Sequence, residues 1–183
     1  MSPDRLSDMS TRVLACRSGG GVGYNSCVTT SGLGDPPSSQ QLRLRRASFA
    51  ELTPFEVYAL CRLRVDVFVV EQQCPYPELD GRDLEPATVH LWLESGGQVS
   101  ATIRVLDDGA TRAIGRVATA AGFRGRGLAA RLIDEGIALC DGFPITLGAQ
   151  AHLEGWYERF GFRGSGPGYV EDGIPHVPMR REP

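Results

Sequence analysis

Residues 124–129, Arg-Gly-Arg-Gly-Leu-Ala, set two guanidinium groups and two glycines at the point where a helical pattern begins. Glycine keeps Cβ atoms out of the way, so backbone N–H groups stand bare in such a turn. The N-terminus of the following helix adds its partial positive charge. Together these make a seat for a pyrophosphate. Further along, His152 opens a short segment that carries Trp156-Tyr157 and closes on Gly161-Phe162. A phenol, with a reference pKa of about 10, stays protonated at neutral pH, so Tyr157 is a candidate general acid. Packing in the core beside Trp156 is the other role open to that ring.

These groups need elements to position them. Alternating apolar residues predict strands over 90–94, 99–106 and 114–119, joined by Ser95-Gly96-Gly97 and by the hairpin signal Asp107-Asp108-Gly109. Neighbours so closely linked form an antiparallel meander. A helix over 127–140 follows, with Leu128, Leu132 and Leu139 expected on its buried side, and then an apolar strand over 145–149. Strand, helix and strand of this length imply a parallel pair with a right-handed crossover. The strand over 113–119 therefore sits where meander meets crossover, and its C-terminal end is a natural ligand position. Upstream, Thr53-Pro54-Phe55-Glu56 is a strong helix start: a capping Thr, Pro at the first position and Glu three residues after the cap. That helix is expected to bury Val57, Leu60, Cys61 and Phe68, and to end near residues 71–73. Residues 74–87 read as a long acidic loop.

Composition bounds the rest. The chain has 183 residues with a net charge of −3, which fits one ordinary domain and offers nothing to a general nucleic-acid binder. All 19 basic residues are arginine, as codon bias in a GC-rich genome would give, so the chain has no lysine of its own to modify. Residues 1–40 are rich in Gly, Ser, Thr and Pro and lack periodicity. They are expected to be a disordered extension or an overlong gene-model start, with the folded domain over 41–183. Gly19-Gly20-Gly21-Val22-Gly23 follows no strand and precedes no helix, so it fails as a nucleotide loop. Five cysteines, odd in number and without CxxC spacing, together with three histidines, argue against a structural metal and for free thiols in a reducing compartment. Cys61 and Cys140 are expected in the core. No apolar run reaches the ~18–20 residues of a membrane span. Val13-Leu14-Ala15-Cys16 lacks the apolar region a leader needs. A cytoplasmic protein is expected. Nothing in the sequence sets the oligomeric state, and a dimer is compatible with it.

With these segments in hand, the chain resembles the GNAT superfamily of acyl-CoA-dependent N-acyltransferases. Arg124-Gly125-Arg126-Gly127-Leu128-Ala129 matches its phosphate motif, and Trp156-Tyr157 with Gly161-Phe162 matches a later one. Val67–Gln72, Cys74-Pro75-Tyr76, Asp80-Gly81, Ile114–Val117, Ala149–His152 and Glu171–His176 resemble the ElaA-like subgroup in particular. The match covers most of residues 55–176. It implies an α/β (α+β) fold: a GNAT-like mixed, mostly antiparallel sheet with a parallel β-α-β crossover and helices on both faces.

The resemblance also implies an activity. An acetyl group would pass from acetyl-CoA to a primary amine of a small-molecule or protein acceptor, by direct attack and without a metal, nucleic acid or membrane. The pyrophosphate would lie on Arg124–Ala129. The pantetheine arm would pair with Val117, Ala118 and Thr119. Gln150 stands where many family members place an Asn near that arm. Tyr157 would protonate the departing thiolate, and a backbone N–H at or beside Val117 would polarise the carbonyl. The strand over 112–120 holds no acid to serve as base. Glu71 at the end of the first helix is the first candidate, followed by His152 and His176, with proton loss through ordered water equally open. Asp80, Asp83, Glu85, Glu171 and Asp172 are candidates for the acceptor side, where negative charge would favour a cationic amine. Two other readings fit the sequence: a non-catalytic acyl-CoA-binding module, and an acyltransferase whose donor is a carrier protein.

Overall fold

Strong period-2 patterns build the centre of the molecule. The computed structural model describes residues 42–183; the expected extension over 1–40 and its boundary lie outside them. Strands β2 (Val89–Ser95), β3 (Gln98–Asp107) and β4 (Arg112–Thr119) form the expected antiparallel meander. Helix α2 (Leu128–Leu139) crosses to β5 (Ile145–Gln150), which runs parallel to β4. Four strands were not legible beforehand. β1 (Arg43–Ala47) is an arginine-rich edge strand on β2. β6 (Arg163–Gly164) and β7 (Tyr169–Glu171) are short, and both pair with β8 (Ile174–Arg181). β8 in turn pairs with β5, giving one eight-stranded sheet in the order β1-β2-β3-β4-β5-β8-β6, with β7 also on β8.

Both faces of the sheet are covered, which is why β3 is buried along nearly its whole length. On one face Leu91, Leu93, Ala101, Ile103 and Ile114 pack against Leu128, Leu132 and Ile133 of α2. On the other face Trp92 and Ala118 pack against Leu60 and Leu63 of α1 (Pro54–Arg64). Leu139 was expected inside α2's buried stripe, yet it is exposed; Cys140, one residue on, takes the buried position at the end of the helix. Val57 and Cys61 are only half-buried, because Leu60, Leu63 and Arg64 form the inward side of α1. α1 runs on without a break into a π-helical segment, Val65–Glu71, so the helical stretch ends where expected but loosens before it does. Such segments widen the helix and recur at functional sites. A short helix α3 (Glu154–Glu158) follows β5 and delivers Tyr157 to the core.

Candidate active site

The parallel pair at the centre separates almost as soon as it forms. β4 and β5 are in register only at Arg112–Ile145 and Ala113–Thr146. Beyond that point they part. β4 also carries a bulge, because Thr102 of β3 faces Ala118 while Arg104 faces Gly115, so Arg116 and Val117 together oppose one residue. Arg116 takes a positive φ of 54°, which few non-glycine residues adopt. A cavity of about 510 Å³ occupies the gap. β4 lines it with Ile114–Val117, β5 with Leu147, Gly148 and Gln150, and the π-helical segment with Val67 and Phe68, followed by Gln72 just past its end.

The glycine-rich turn lies just after β4. Gly125 and Gly127 both sit in the left-handed region, at φ 74° and 73°, and the positions their Cβ atoms would occupy are open space. Gly127 is the N-cap of α2, and no side chain caps the helix. Its first N–H groups therefore remain available to an outside acceptor. Leu128 is buried in the core and anchors the turn, and Ala129 is half-buried. Arg126 extends along the turn, donating to the Gly122 carbonyl at 3.1 Å. These features suit a pyrophosphate. Val117 lines the cavity, whereas the Ala118 side chain is buried on the α1 face and the Thr119 carbonyl accepts from Arg124 Nε at 3.1 Å.

Tyr157 reaches the same cavity from α3, packed edge-on to Trp156 and Phe162. Burial pushes its pKa up to about 12, so the ring stays a neutral phenol across the physiological range. Both readings of this residue therefore meet in one place: it is a core residue that also faces the cavity. Gln150 also lines the cavity and donates to Gln72 Oε1 at 3.3 Å, joining the end of β5 to the end of the π-helical segment.

The acidic loop is organised differently from the expectation. Glu78, Asp80 and Asp83 are not free carboxylates. Arg64 donates to Glu78 and, at 2.7 and 3.0 Å, to Asp83. Arg104 donates to Asp80 at 2.8 and 2.6 Å and to Asp83 at 3.0 Å. Arg116 adds a bond to Asp80 at 3.0 Å and one to the Glu78 carbonyl at 3.1 Å. Burial alone would raise Asp80, but the Arg104 hydrogen bonds and the charges of Arg104 and Arg116 outweigh it and hold the carboxyl well below the usual range. Three arginines thus clamp three acids to the α1 face of the sheet. Stranding one such buried charge costs about 3–5 kcal/mol. Asp80 still lines the cavity, but as one of three acids balanced by three arginines. Glu85 pairs with Arg82 and takes no part. Arg64 and Arg104 went unremarked in the sequence, although an arginine inside the apolar run of β3 was a signal for such a cluster.

Two proposed bases are not in the cavity. Glu71 is exposed and holds Arg124 through both carboxylate oxygens, at 2.8 and 2.7 Å. That bond keeps Glu71 below the ordinary carboxylate range, which weakens it as a base. It also occupies the guanidinium expected at the pyrophosphate. The two lie 53 residues apart in sequence, and only the fold shows them adjacent. His152 is exposed in the turn Ala151–Leu153, and Leu153 faces the cavity instead. The β7–β8 hairpin, by contrast, supplies Tyr169, Glu171, Asp172, Ile174 and His176. Glu171 and Asp172 form no ion pair among the described residues. No group of side chains that could hold a metal ion occurs among the described residues. No helix among them is long and apolar enough to cross a membrane.

A mixed sheet that splays at its parallel pair, in front of a helix begun on an uncapped glycine turn, is the fold of acyl-CoA N-acyltransferases. An acyl-CoA N-acyltransferase from Pseudomonas aeruginosa superposes with a TM-score of 0.75 at 42% identity, over 77% of this chain and 99% of that one. The chain belongs to the GNAT acetyltransferase domain family, whose pattern matches residues 58–183. Among curated relatives, the UPF0039 protein Rv2851c of Mycobacterium tuberculosis is 45% identical over 143 residues, covering 75% of this chain and 92% of the relative. Protein ElaA of Escherichia coli is 40% identical over 140 residues, covering 73% and 92%.

Proposed function

We propose that this protein transfers an acetyl group from acetyl-CoA to a primary amine of a small-molecule or protein acceptor. The observation that carries the reading is the uncapped N-terminus of α2 beside a cleft that also contains Tyr157. The family uses acyl-CoA. On this chain the N–H groups after Gly127 and the Arg126 guanidinium would take the pyrophosphate, with Arg124 joining once it leaves Glu71. The pantetheine arm would lie against Val117, Ala118 and Thr119, with Gln150 across the cleft. Its two amides can pair with a strand whose partner has moved away. A bulge leaves one residue out of the ladder, so an N–H at Arg116–Val117 is assigned to polarise the thioester carbonyl.

The amine attacks that carbon, the C–N bond forms, and the C–S bond breaks. The thiolate takes the Tyr157 proton. A phenol near 12 is a weak acid for a thiolate whose reference pKa is about 8.5, but an apolar site raises the thiolate as well, since burial penalises every anion. Glu171 and Asp172 are assigned to attract the acceptor's ammonium, because Asp80 is already neutralised. A cytoplasmic location, with acyl-CoA at hand, fits this reading. Calorimetry with acetyl-CoA, CoA and dephospho-CoA, followed by a screen of amines for free-thiol release, tests it. Binding in the micromolar range and thiol release with at least one amine are expected. No binding of acetyl-CoA would overturn the proposal.

A further inference from the structure

The reaction needs a group to accept a proton from the incoming ammonium, and the cavity narrows the choice. Glu71 and His152 lie outside it. Asp80 is held by two arginines far on the acid side. His90 is buried against the Asp83 carbonyl and does not line the cavity; burial pushes its pKa down. Glu171 and Asp172 do line it, but both are exposed, and neither carboxylate is oriented by a hydrogen bond or ion pair among the described residues.

His176 is placed differently. It lies on β8 opposite Gln150 of β5 and opposite Tyr169 of β7. Its Nδ1 is 2.8 Å from the Ile174 carbonyl. A carbonyl oxygen only accepts, so Nδ1 carries the hydrogen and the neutral ring keeps its lone pair on Nε2. Nε2 has no protein partner among the described residues. The ring is stacked on Tyr169 at 5.6 Å and 23°. Tyr169 is itself seated, since its hydroxyl stands where a Cβ on Gly148 would be. A backbone carbonyl thus sets the tautomer and an aromatic ring sets the plane, in a residue that lines the cavity with Tyr157.

We infer that His176 is the proton acceptor for the acceptor amine, acting through Nε2, with the Ile174 carbonyl and the Tyr169 ring positioning it. The inference rests on the transferase reading above and deepens it. The protons balance. The ammonium gives one proton to Nε2, and the neutral amine then attacks the thioester. Tyr157 protonates the thiolate, and the second proton shed by the nitrogen restores Tyr157. The imidazolium releases its proton to water, so each turnover yields amide, free thiol and one proton. The titratable groups that share the cavity with His176 are Cys74, Tyr76 and Asp80 from the loop, Arg116 from β4, Tyr157 from α3, and Tyr169, Glu171 and Asp172 from the hairpin.

The test compares two nucleophiles in one protein. Hydroxylamine is largely neutral at pH 7.5, whereas n-butylamine is almost wholly protonated. His176→Asn keeps a donor for the Ile174 carbonyl but has no Nε2. In this variant the ratio of butylamine to hydroxylamine turnover should fall about 100-fold, the scale of a lost general base. An unchanged ratio overturns the inference; His176→Gln gives the same comparison should the Asn variant not fold. The chain has three histidines, so 15N-histidine spectra are readily assigned. They should show His176 as the Nδ1–H tautomer, and an Nε2–H tautomer would overturn the assignment. Absence of thiol release by the native protein with either nucleophile would instead overturn the transferase reading.

Discussion

The two long helices begin in opposite ways. At α1 the Thr53 hydroxyl accepts the Glu56 N–H at 3.3 Å, and Glu56 returns the bond by accepting the Thr53 N–H at 2.8 Å. The chain's own carboxylate thus answers the positive end of the helix, and the Thr53 N–H bond holds Glu56 below its ordinary range. At α2 the cap is a left-handed glycine with no side chain at all. Gly lies within a few tenths of a kcal/mol of Thr as a cap, so leaving the start of α2 without a side chain costs the fold little. The difference separates a helix end closed by the chain's own side chains from one that no side chain closes. Arg124, in the turn before the open end, is held by Glu71.

The most damaging change would make the second helix start like the first. Gly127→Asp places a carboxylate at the open end, in a backbone conformation that Asp tolerates at a cost of about 1 kcal/mol. Acetyl-CoA affinity should drop about 100-fold by calorimetry, the loss of one or two charge-assisted bonds of ~1.5–3 kcal/mol each. Retained affinity would mean that the open end is not the phosphate seat. Next in size is Tyr157→Phe, expected to lower kcat about 100-fold with little change in acetyl-CoA binding. Equal turnover would return Tyr157 to a packing role. The sign of its pH dependence follows from burial: the active, protonated form persists until pH approaches about 12, so Tyr157 should impose no falling limb on activity between pH 7 and 9.

Thr53→Ala is the mirror experiment on the closed helix. Stability to urea should fall by about 1 kcal/mol while acetyl-CoA binding stays the same; a change in binding would blur the distinction between the two ends. The smallest effect belongs to Glu71→Gln. Removing the competitor for Arg124 should tighten acetyl-CoA binding two- to threefold, in keeping with the ~0–1 kcal/mol of an exposed pair. Because Arg124 lowers the Glu71 pKa, the pair forms above the acid range and is lost only as pH falls through that lowered value. The gain should therefore be visible at neutral pH, and weaker binding in the variant would show that the pair supports the turn rather than competing for it.

The meander, the crossover, the capped start of α1 and the glycine turn were all legible because each is written within a few residues: a period of two, a cap three positions from its partner, a glycine where φ is positive. β1 was hidden by its arginines. β6–β8 were hidden because two are very short and the third carries prolines at 175 and 178. The candidate site was legible in its donor half, from Val117 to Ala129 and at Tyr157. It was much less so in its acceptor half, which long-range pairing assembles.

Residue types and short spacings alone determined that this chain has a glycine turn opening a helix, a strand junction just before it and a phenol downstream of it. Tertiary structure alone decided which charged and basic groups are free to act. Asp80 and Asp83 are spent on arginines reached across the sheet, Glu71 on an arginine 53 residues away, and His152 faces outward. Glu171, Asp172 and His176 face the cavity because β8 returns beside β5. The physical reason is range: a cap or a turn is settled within one helical turn of sequence, whereas the partner of a charge is settled by whichever segment the fold brings within about 4 Å.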